Sequence, residues 1–353
     1  MAIVDTVWQA HDTNPGEIEA ALRRALQEVH QQNESYVPAR VLNLVCVVDK
    51  NYSGEIANRL RRVGRYHPSR TIVCAVERGR TTLDAVATIA APREVGHGEI
   101  GLLRETIVVT CGERHLPHLD RIVDPLVVTD LYTSVWSPHG HPEAVDSLLP
   151  LSQVVLLDTI DEPELEDGVH RARSLSENVY VVDLSWLRST PWRERIAATF
   201  DPPHLRPDLR MVSSVTIRHN PESTAVGLLL VGWMASRLGW RTSPLVRRGG
   251  ALVGSAHSRR QDVRIELQPE PSLQVRGLAG LTLETASGRH LSLDRGPGGL
   301  RARYVHKRGT VREWTVLGAS RGEPGILGEG IRQALLRDPT YRPALAAAET
   351  MLP

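Results

Sequence analysis

The sequence predicts an α/β layered domain over residues 1–205, followed by an α+β domain with a mainly antiparallel sheet over residues 206–353. Three observations carry this expectation. In the first half, apolar runs of strand length alternate with amphipathic helical stretches, the pattern of a sheet covered on both faces. In the second half, short apolar runs succeed one another across glycine turns, the pattern of hairpins. Between them, Asp201-Pro202-Pro203 and Arg206-Pro207 interrupt both textures, and 353 residues exceed one typical domain.

Asn14-Pro15 opens the first helix, since proline suits the first helical turn and Ile18, Ala21, Leu22, Ala25, Leu26 and Val29 share one face. Residues 41–48 form a continuous apolar run of strand length. Residues 53–66 read as a helix with Ile56, Leu60 and Val63 inward. Further strands are expected at 70–76, 82–91, 105–111, 131–136, 153–158 and 179–182, with helices at 116–126, 142–149 and 164–176. Residues 183–200 follow, where Thr190 is placed to cap a helix that has Pro191 at its first position.

After the boundary, 211–217 reads as a strand, and Asn220-Pro221 starts a helix that stops at Gly239. That helix is apolar nearly all round between Ala225 and Ala235, so it belongs in a core, with Trp233 inside it. Six short strands follow, at 252–256, 263–267, 281–285, 291–293, 302–305 and 313–316. Gly288, Gly296-Pro297-Gly298-Gly299 and Arg308-Gly309 supply turns. Helices at 326–336 and 342–351 close the chain.

The formal charge of +1 gives no overall drive toward nucleic acid or a membrane surface, so neither is expected as a partner. The longest apolar stretch, 225–235, falls short of the roughly 18 residues a membrane span requires. Residues 1–12 carry acids and no apolar run, so no signal peptide is expected and a cytoplasmic protein is. Cys46, Cys74 and Cys111 each sit in a strand-like run with no C-x-x-C spacing, which predicts buried free thiols and no redox sensor. Lys50 and Lys307 are the only lysines; the many arginines reflect either a composition bias or guanidinium-rich contacts.

No motif supplies a complete catalytic constellation. Gly96-His97-Gly98-Glu99-Ile100-Gly101 matches G-x-G-x-x-G, but a strand-like segment follows it where a dinucleotide site requires a helix. Gly318-Ala319-Ser320-Arg321-Gly322 matches a nucleophile elbow, yet no histidine follows His306 to serve as base. His115 with His118, and His139 with His141, fit no known metal-ligand spacing. Arg59, Arg61, Arg62 and Arg65 read as a solvated helix face. No catalytic residue, metal or cofactor is therefore expected.

What stands out is tryptophan. The chain has seven, against one phenylalanine, and five of them lie in residues 131–136, in Asp183-Leu184-Ser185-Trp186-Leu187-Arg188-Ser189-Thr190-Pro191-Trp192-Arg193-Glu194, and in Gly232-Trp233-Met234-Ala235-Ser236-Arg237-Leu238-Gly239-Trp240. Tryptophan beside arginine is a frequent make-up of protein–protein hot spots. These segments, with 37–49 and 67–73, resemble the recurring segments of the glucose-6-phosphate dehydrogenase assembly proteins, the OpcA family. The resemblance runs from about residue 37 to 240, and the motifs at 183–194 and 232–240 are its specific parts.

The resemblance implies a non-catalytic activator that binds the glucose-6-phosphate dehydrogenase oligomer in the oxidative pentose phosphate pathway. Trp136, Trp186, Arg188, Pro191, Trp192 and Arg193, with the loop 137–142, are the expected docking residues, Pro191 fixing where Trp192 points. The competing structural reading is that these tryptophans pack between domains. The competing functional reading is a sugar-phosphate binder or enzyme that uses an arginine pocket of the N-terminal domain at Arg40 and Arg70.

Overall fold

The computed structural model describes residues 3–56, 60, 68–92, 100–259, 261–306, 309–317 and 322–353. The chain forms two compact units. The first takes residues 1–157, 178–182 and 331–335; the second takes 158–177, 183–330 and 336–353.

The strands of the first sheet are β1 (Ile3–Ala10), β2 (Tyr36–Pro38), β3 (Leu42–Asp49), β4 (Ser69–Val76), β5 (Asp84–Pro92), β6 (Gly101–Cys111), β7 (Thr133–Trp136), β8 (Val154–Leu157) and β9 (Tyr180–Asp183). They lie in the order β1-β5-β6-β4-β3-β7-β8-β9, with β2 on β6. The β6–β4, β4–β3, β3–β7 and β7–β8 pairs are parallel, whereas β1–β5 and β5–β6 are antiparallel. The sheet is therefore mixed. Counted from β3 with the antiparallel β5 left out, the order β6-β4-β3-β7-β8-β9 is third, second, first, fourth, fifth, sixth. This is the strand order of dinucleotide-binding sheets, which reverses between β3 and β7.

Side-chain pattern follows position in the sheet. Central β4 and β7 are buried from end to end apart from Ser69, and β3 apart from Asp49, as strands covered on both faces must be. β6 alternates buried with more exposed residues. Helix α1 (Pro15–Gln32) starts as expected: the Asn14 side chain accepts from the Glu17 amide, and Ile18, Ala21, Leu22 and Val29 are buried. Strand β1 has no counterpart in the sequence reading. Its polar Asp5, Thr6 and Gln9 hide the pattern, and its pairing partner β5 lies some 75 residues away.

The single helix expected at 116–126 is instead three turns, Glu113–His118, Asp120–Val123 and Asp124–Leu126. Pro117 and Pro125 each remove an amide donor that a continuous helix requires. Helices α2 (Pro142–Leu148) and α3 (Leu165–Asn178) agree closely with expectation. Of the helix expected at 53–66, residues 57–59 and 61–66 lie outside the described residues, and with them Arg59, Arg61, Arg62 and Arg65.

The second unit holds α3 up to Glu177 and resumes at Asp183 with α4 (Leu184–Arg188) and α5 (Thr190–Phe200). The residue that caps α5 is Ser189, one position before Thr190, so Pro191 falls at the second helical position. Its sheet contains β10 (Val212–His219), β11 (Arg241–Thr242), β12 (Val246–Arg248), β13 (Ala251–His257), β14 (Asp262–Pro269), β15 (Leu278–Thr285), β16 (His290–Gly296), β17 (Gly299–Val305) and β18 (Val311–Leu317). The order is β11-β13-β14-β10-β15-β16-β17-β18, with β12 on β13. Neighbours are antiparallel except β10 and β14, which run parallel, so this sheet too is mixed.

Helix α6 (Thr224–Leu238) is buried almost all round and ends at Gly239, whose φ of 67° only glycine adopts readily. Between Ala225 and Ala235, Trp233 is the exception: it is half-buried rather than core. After α7 (Gly322–Gln333), α8 (Tyr341–Glu349) packs so closely on α6 that a Cβ on Gly232 would stand 2.2 Å from the Ala344 carbonyl oxygen. Among the described residues no helix is long and apolar enough to cross a membrane.

Candidate functional site

The motif 183–194 builds a buried polar network wholly inside the second unit. Asp183 caps α4: its carboxylate accepts from the amides of Ser185 at 2.9 Å and Thr159 at 3.2 Å, from the Thr159 hydroxyl, and from Tyr341 Oη at 3.1 Å. Burial, then the neighbouring Asp158 charge, raise the Asp183 pKa to about 6 against these donors.

Arg188 lies between two acids. Its Nη1 donates to Asp158 Oδ2 at 2.7 Å, and its Nε and Nη2 reach the two oxygens of Glu323 at 3.1 and 2.7 Å. Burial alone would lower the Arg188 pKa; Glu323 and Asp158 more than reverse that and raise it. Ser185 Oγ donates to the same Asp158 at 2.5 Å. Arg276 adds a contact with Asp161 at 2.9 Å. Burial and then Asp158 raise the Asp161 pKa to about 6.

Trp186 and Arg193 form the second half of the network. The Arg193 guanidinium carbon stands 3.5 Å from the Trp186 ring centroid. Trp186 Nε1 donates to Asp338 Oδ2 at 2.9 Å, and its ring meets Tyr341 at 5.6 Å. Arg193 also donates to Ser189 Oγ at 3.1 Å and Thr190 Oγ1 at 2.9 Å. Burial lowers its pKa to about 10, with Asp338 opposing.

Of the expected docking residues, Trp136, Trp186 and Trp192 are only 3, 2 and 1% exposed, and Arg188 and Arg193 are buried too. Their rings and guanidinia turn into the protein and leave almost no surface for a partner to meet. Pro191 keeps a half-buried ring. Trp136 ends β7 opposite Cys46 of β3, in the first unit, apart from the motif network. Asp158, Asp161, Glu323, Asp338 and Tyr341 are the network members that sequence reasoning missed. Only Asp158, directly after an apolar strand run, had a readable signal.

Arg40 and Arg70 do come together, on a carboxylate of the protein itself. Arg40 Nε donates to Glu105 Oε1 at 2.6 Å, and Arg70 Nε donates to Glu105 Oε2 at 2.8 Å. Arg70 Nη1 further reaches Glu19 at 3.1 Å and the Leu126 carbonyl at 2.9 Å. Glu105 is buried, so it holds the position an external anion would need.

The point of strand-order reversal in the first unit is also filled from within. The Asp49 amide donates to His139 Nδ1 at 3.1 Å, and His141 Nε2 meets Asp49 Oδ1 at 2.9 Å. The Tyr52 ring meets His139 at a tilt, with centroids 4.8 Å apart. Burial lowers the His139 pKa, which keeps the ring neutral and able to accept. At the end of β4, Glu77 pairs with Lys50 at 2.7 Å and Arg80 at 2.5 Å. Among the described residues no three His, Cys, Asp or Glu side chains are arranged to hold a metal ion.

The other motifs resolve as follows. Gly96 to Glu99 lie outside the described residues, and the segment after them is β6, a strand. Gly318 to Arg321 also lie outside. His115 Nδ1 accepts from the Gly112 amide at 3.0 Å. Cys46, Cys74 and Cys111 are buried free thiols; burial raises all three pKa values, that of Cys111 to about 11.

Comparison with known proteins follows these two halves of the chain. Residues 61–174 match the family described as "Glucose-6-phosphate dehydrogenase subunit N-terminal domain", and residues 179–345 match its C-terminal counterpart. A protein of Synechocystis sp. provisionally named OxPP cycle protein OpcA is 25% identical over 230 residues, which is 64% of this chain and 47% of the relative. Proteins of the same provisional name from Synechococcus elongatus and Nostoc punctiforme are 27% and 28% identical, over 41% and 47% of this chain and 34% and 37% of their own lengths. The matched part is thus less than half of each relative. Among solved structures, a scyllo-inositol dehydrogenase of Lactobacillus casei aligns over 88% of this chain and 96% of its own, at 9% identity and a TM-score of 0.46. With both halves matched in order by one pair of domain descriptions, the chain belongs to the OpcA family of glucose-6-phosphate dehydrogenase assembly proteins.

Proposed function

We propose that this protein performs no chemistry of its own and acts by binding a glucose-6-phosphate dehydrogenase and promoting its active oligomeric form. The family description supplies the partner. The observation that carries the non-catalytic part is the self-filled crevice of the first unit. A dinucleotide enzyme of this strand order uses backbone amides after the first strand to hold the pyrophosphate, and an acid after the second strand to hold the ribose. Here the Asp49 amide is taken by His139, Glu77 is taken by Lys50 and Arg80, and no glycine-rich turn follows β3.

The sugar-phosphate reading is less well supported, because Glu105 already neutralises Arg40 and Arg70. In the activator reading the motif 183–194 acts indirectly: its buried network holds the second unit in the shape that meets the dehydrogenase. An activator shifts an enzyme only by binding one state better than another, and where the gain is in substrate affinity, substrate must tighten the complex by the same factor.

The test mixes purified protein with purified dehydrogenase and measures the mass of the mixture by light scattering together with reaction velocity against substrate. A larger complex with a lower KM or a higher kcat is expected. Two unassociated proteins with unchanged kinetics would end this reading. Turnover of a metabolite by the isolated chain would replace it with an enzymatic one.

A further inference from the structure

We propose that the second unit binds one compact organic anion in a cavity of about 240 Å³ lined by Arg195, Arg276, Arg295, Trp192, Leu300 and Ile326. The cavity lies entirely within that unit and is built by α4, α5, β16, β17, β18, α7 and the segment before β15. It is separate from the crevice of the first unit and from the Glu105 cluster.

Three features point to an anion. Arg195 makes no ion pair among the described residues, and its Nε is buried with no acceptor in reach. A guanidinium in that condition favours any ligand that brings negative charge. Arg276 is 41% exposed and holds Asp161 through one nitrogen at 2.9 Å, so its remaining donors can turn to a ligand. Arg295 donates through Nε to the Leu278 carbonyl at 2.9 Å, and its guanidinium adds a third positive charge to the lining.

The remaining wall limits what fits. Trp192, Leu300 and Ile326 offer apolar surface, so an ion with a carbon body gains more than bare phosphate does. Glu194, Glu323 and Glu329 also line the cavity, which disfavours a polyanion. The volume is below the roughly 300 Å³ at which pockets for drug-sized ligands begin, and this excludes a dinucleotide. A small sugar monophosphate or an aromatic carboxylate satisfies all three limits.

The site would give the second unit a metabolite input of its own. Trp192 lies in the wall and provides the signal. The experiment uses the full chain with no dehydrogenase present, so its outcome is independent of the activator reading. Tryptophan emission and calorimetry would follow titration with glucose 6-phosphate, benzoate, inorganic phosphate and glucose. At least one of the two organic anions should bind, and glucose should not. Arg195→Gln, which breaks no ion pair, should weaken binding at least tenfold with the free protein's melting temperature nearly unchanged. Arg276→Gln should weaken it as a second, independent variant. Absence of binding by both organic anions, equal binding by inorganic phosphate, or affinity unchanged in both variants would overturn the assignment.

Discussion

The guanidinium of Arg193 stacks 3.5 Å from the centre of the Trp186 ring, and both side chains are buried. The pair that reads as a hot spot in the sequence is thus an internal contact, with Asp338 holding Trp186 Nε1 at 2.9 Å beneath it. Arg193→Ala should lower stability by about 2 kcal/mol, since it removes a desolvated cation–π contact and strands the acceptors Ser189 and Thr190. Denaturant unfolding followed by tryptophan emission measures this. A loss of dehydrogenase binding with stability unchanged would place Arg193 at the partner instead.

Glu105 serves two arginines at once, so its removal should be severe. Glu105→Gln leaves Arg40 and Arg70 facing a neutral amide in a buried place. Breaking a buried pair by removing one partner costs about 3–5 kcal/mol. Thermal unfolding should show the first unit destabilised, and Arg40→Met in the Glu105→Gln background should recover part of the loss. Equal melting temperatures for Glu105→Gln and the unmodified chain would contradict this account.

Gly232 is required by close packing and not by backbone conformation. A methyl group there would stand 2.2 Å from the Ala344 carbonyl oxygen, a backbone atom that cannot swing aside. Gly232→Ala should therefore destabilise α6 against α8 by about 3 kcal/mol, although alanine is the better helix former. A calorimetric melting temperature equal to or above that of the unmodified protein would show that the two helices can separate freely.

Asp161 and Asp183 set a pH dependence. Both have pKa values of about 6 in the folded protein against an ordinary 3.8, because burial and the Asp158 charge disfavour ionisation. The folded state therefore binds their protons more tightly than the unfolded state. Their contribution to stability is complete below about pH 4 and is lost as pH rises through about 6. Asp161→Asn cannot ionise, so its melting temperature should fall less steeply between pH 4 and 7 than that of the unmodified protein. An identical slope would remove Asp161 from the cause.

The thiols should be silent. Cys46, Cys74 and Cys111 are buried and their pKa values are raised, so a thiol reagent should label none of them in native protein and three after denaturation. Native labelling of Cys111 would reopen a redox role.

The sequence by itself determined most of the elements and the family. Apolar runs at 41–48 and 70–76 became central strands, because a strand covered on both faces has no choice but to be apolar throughout. Asn14-Pro15 and Gly239 marked helix ends through their own backbone and side-chain chemistry. What tertiary structure alone decided was direction and partnership. β10 and β14 run parallel within an otherwise antiparallel sheet, and β1 joins β5 across some 75 residues, which no local pattern encodes. Whether a tryptophan faces a partner or the protein's own interior likewise depends on distant residues. Trp186 turns inward because Asp338 and Tyr341, about 150 residues away, supply its hydrogen bond and its ring contact.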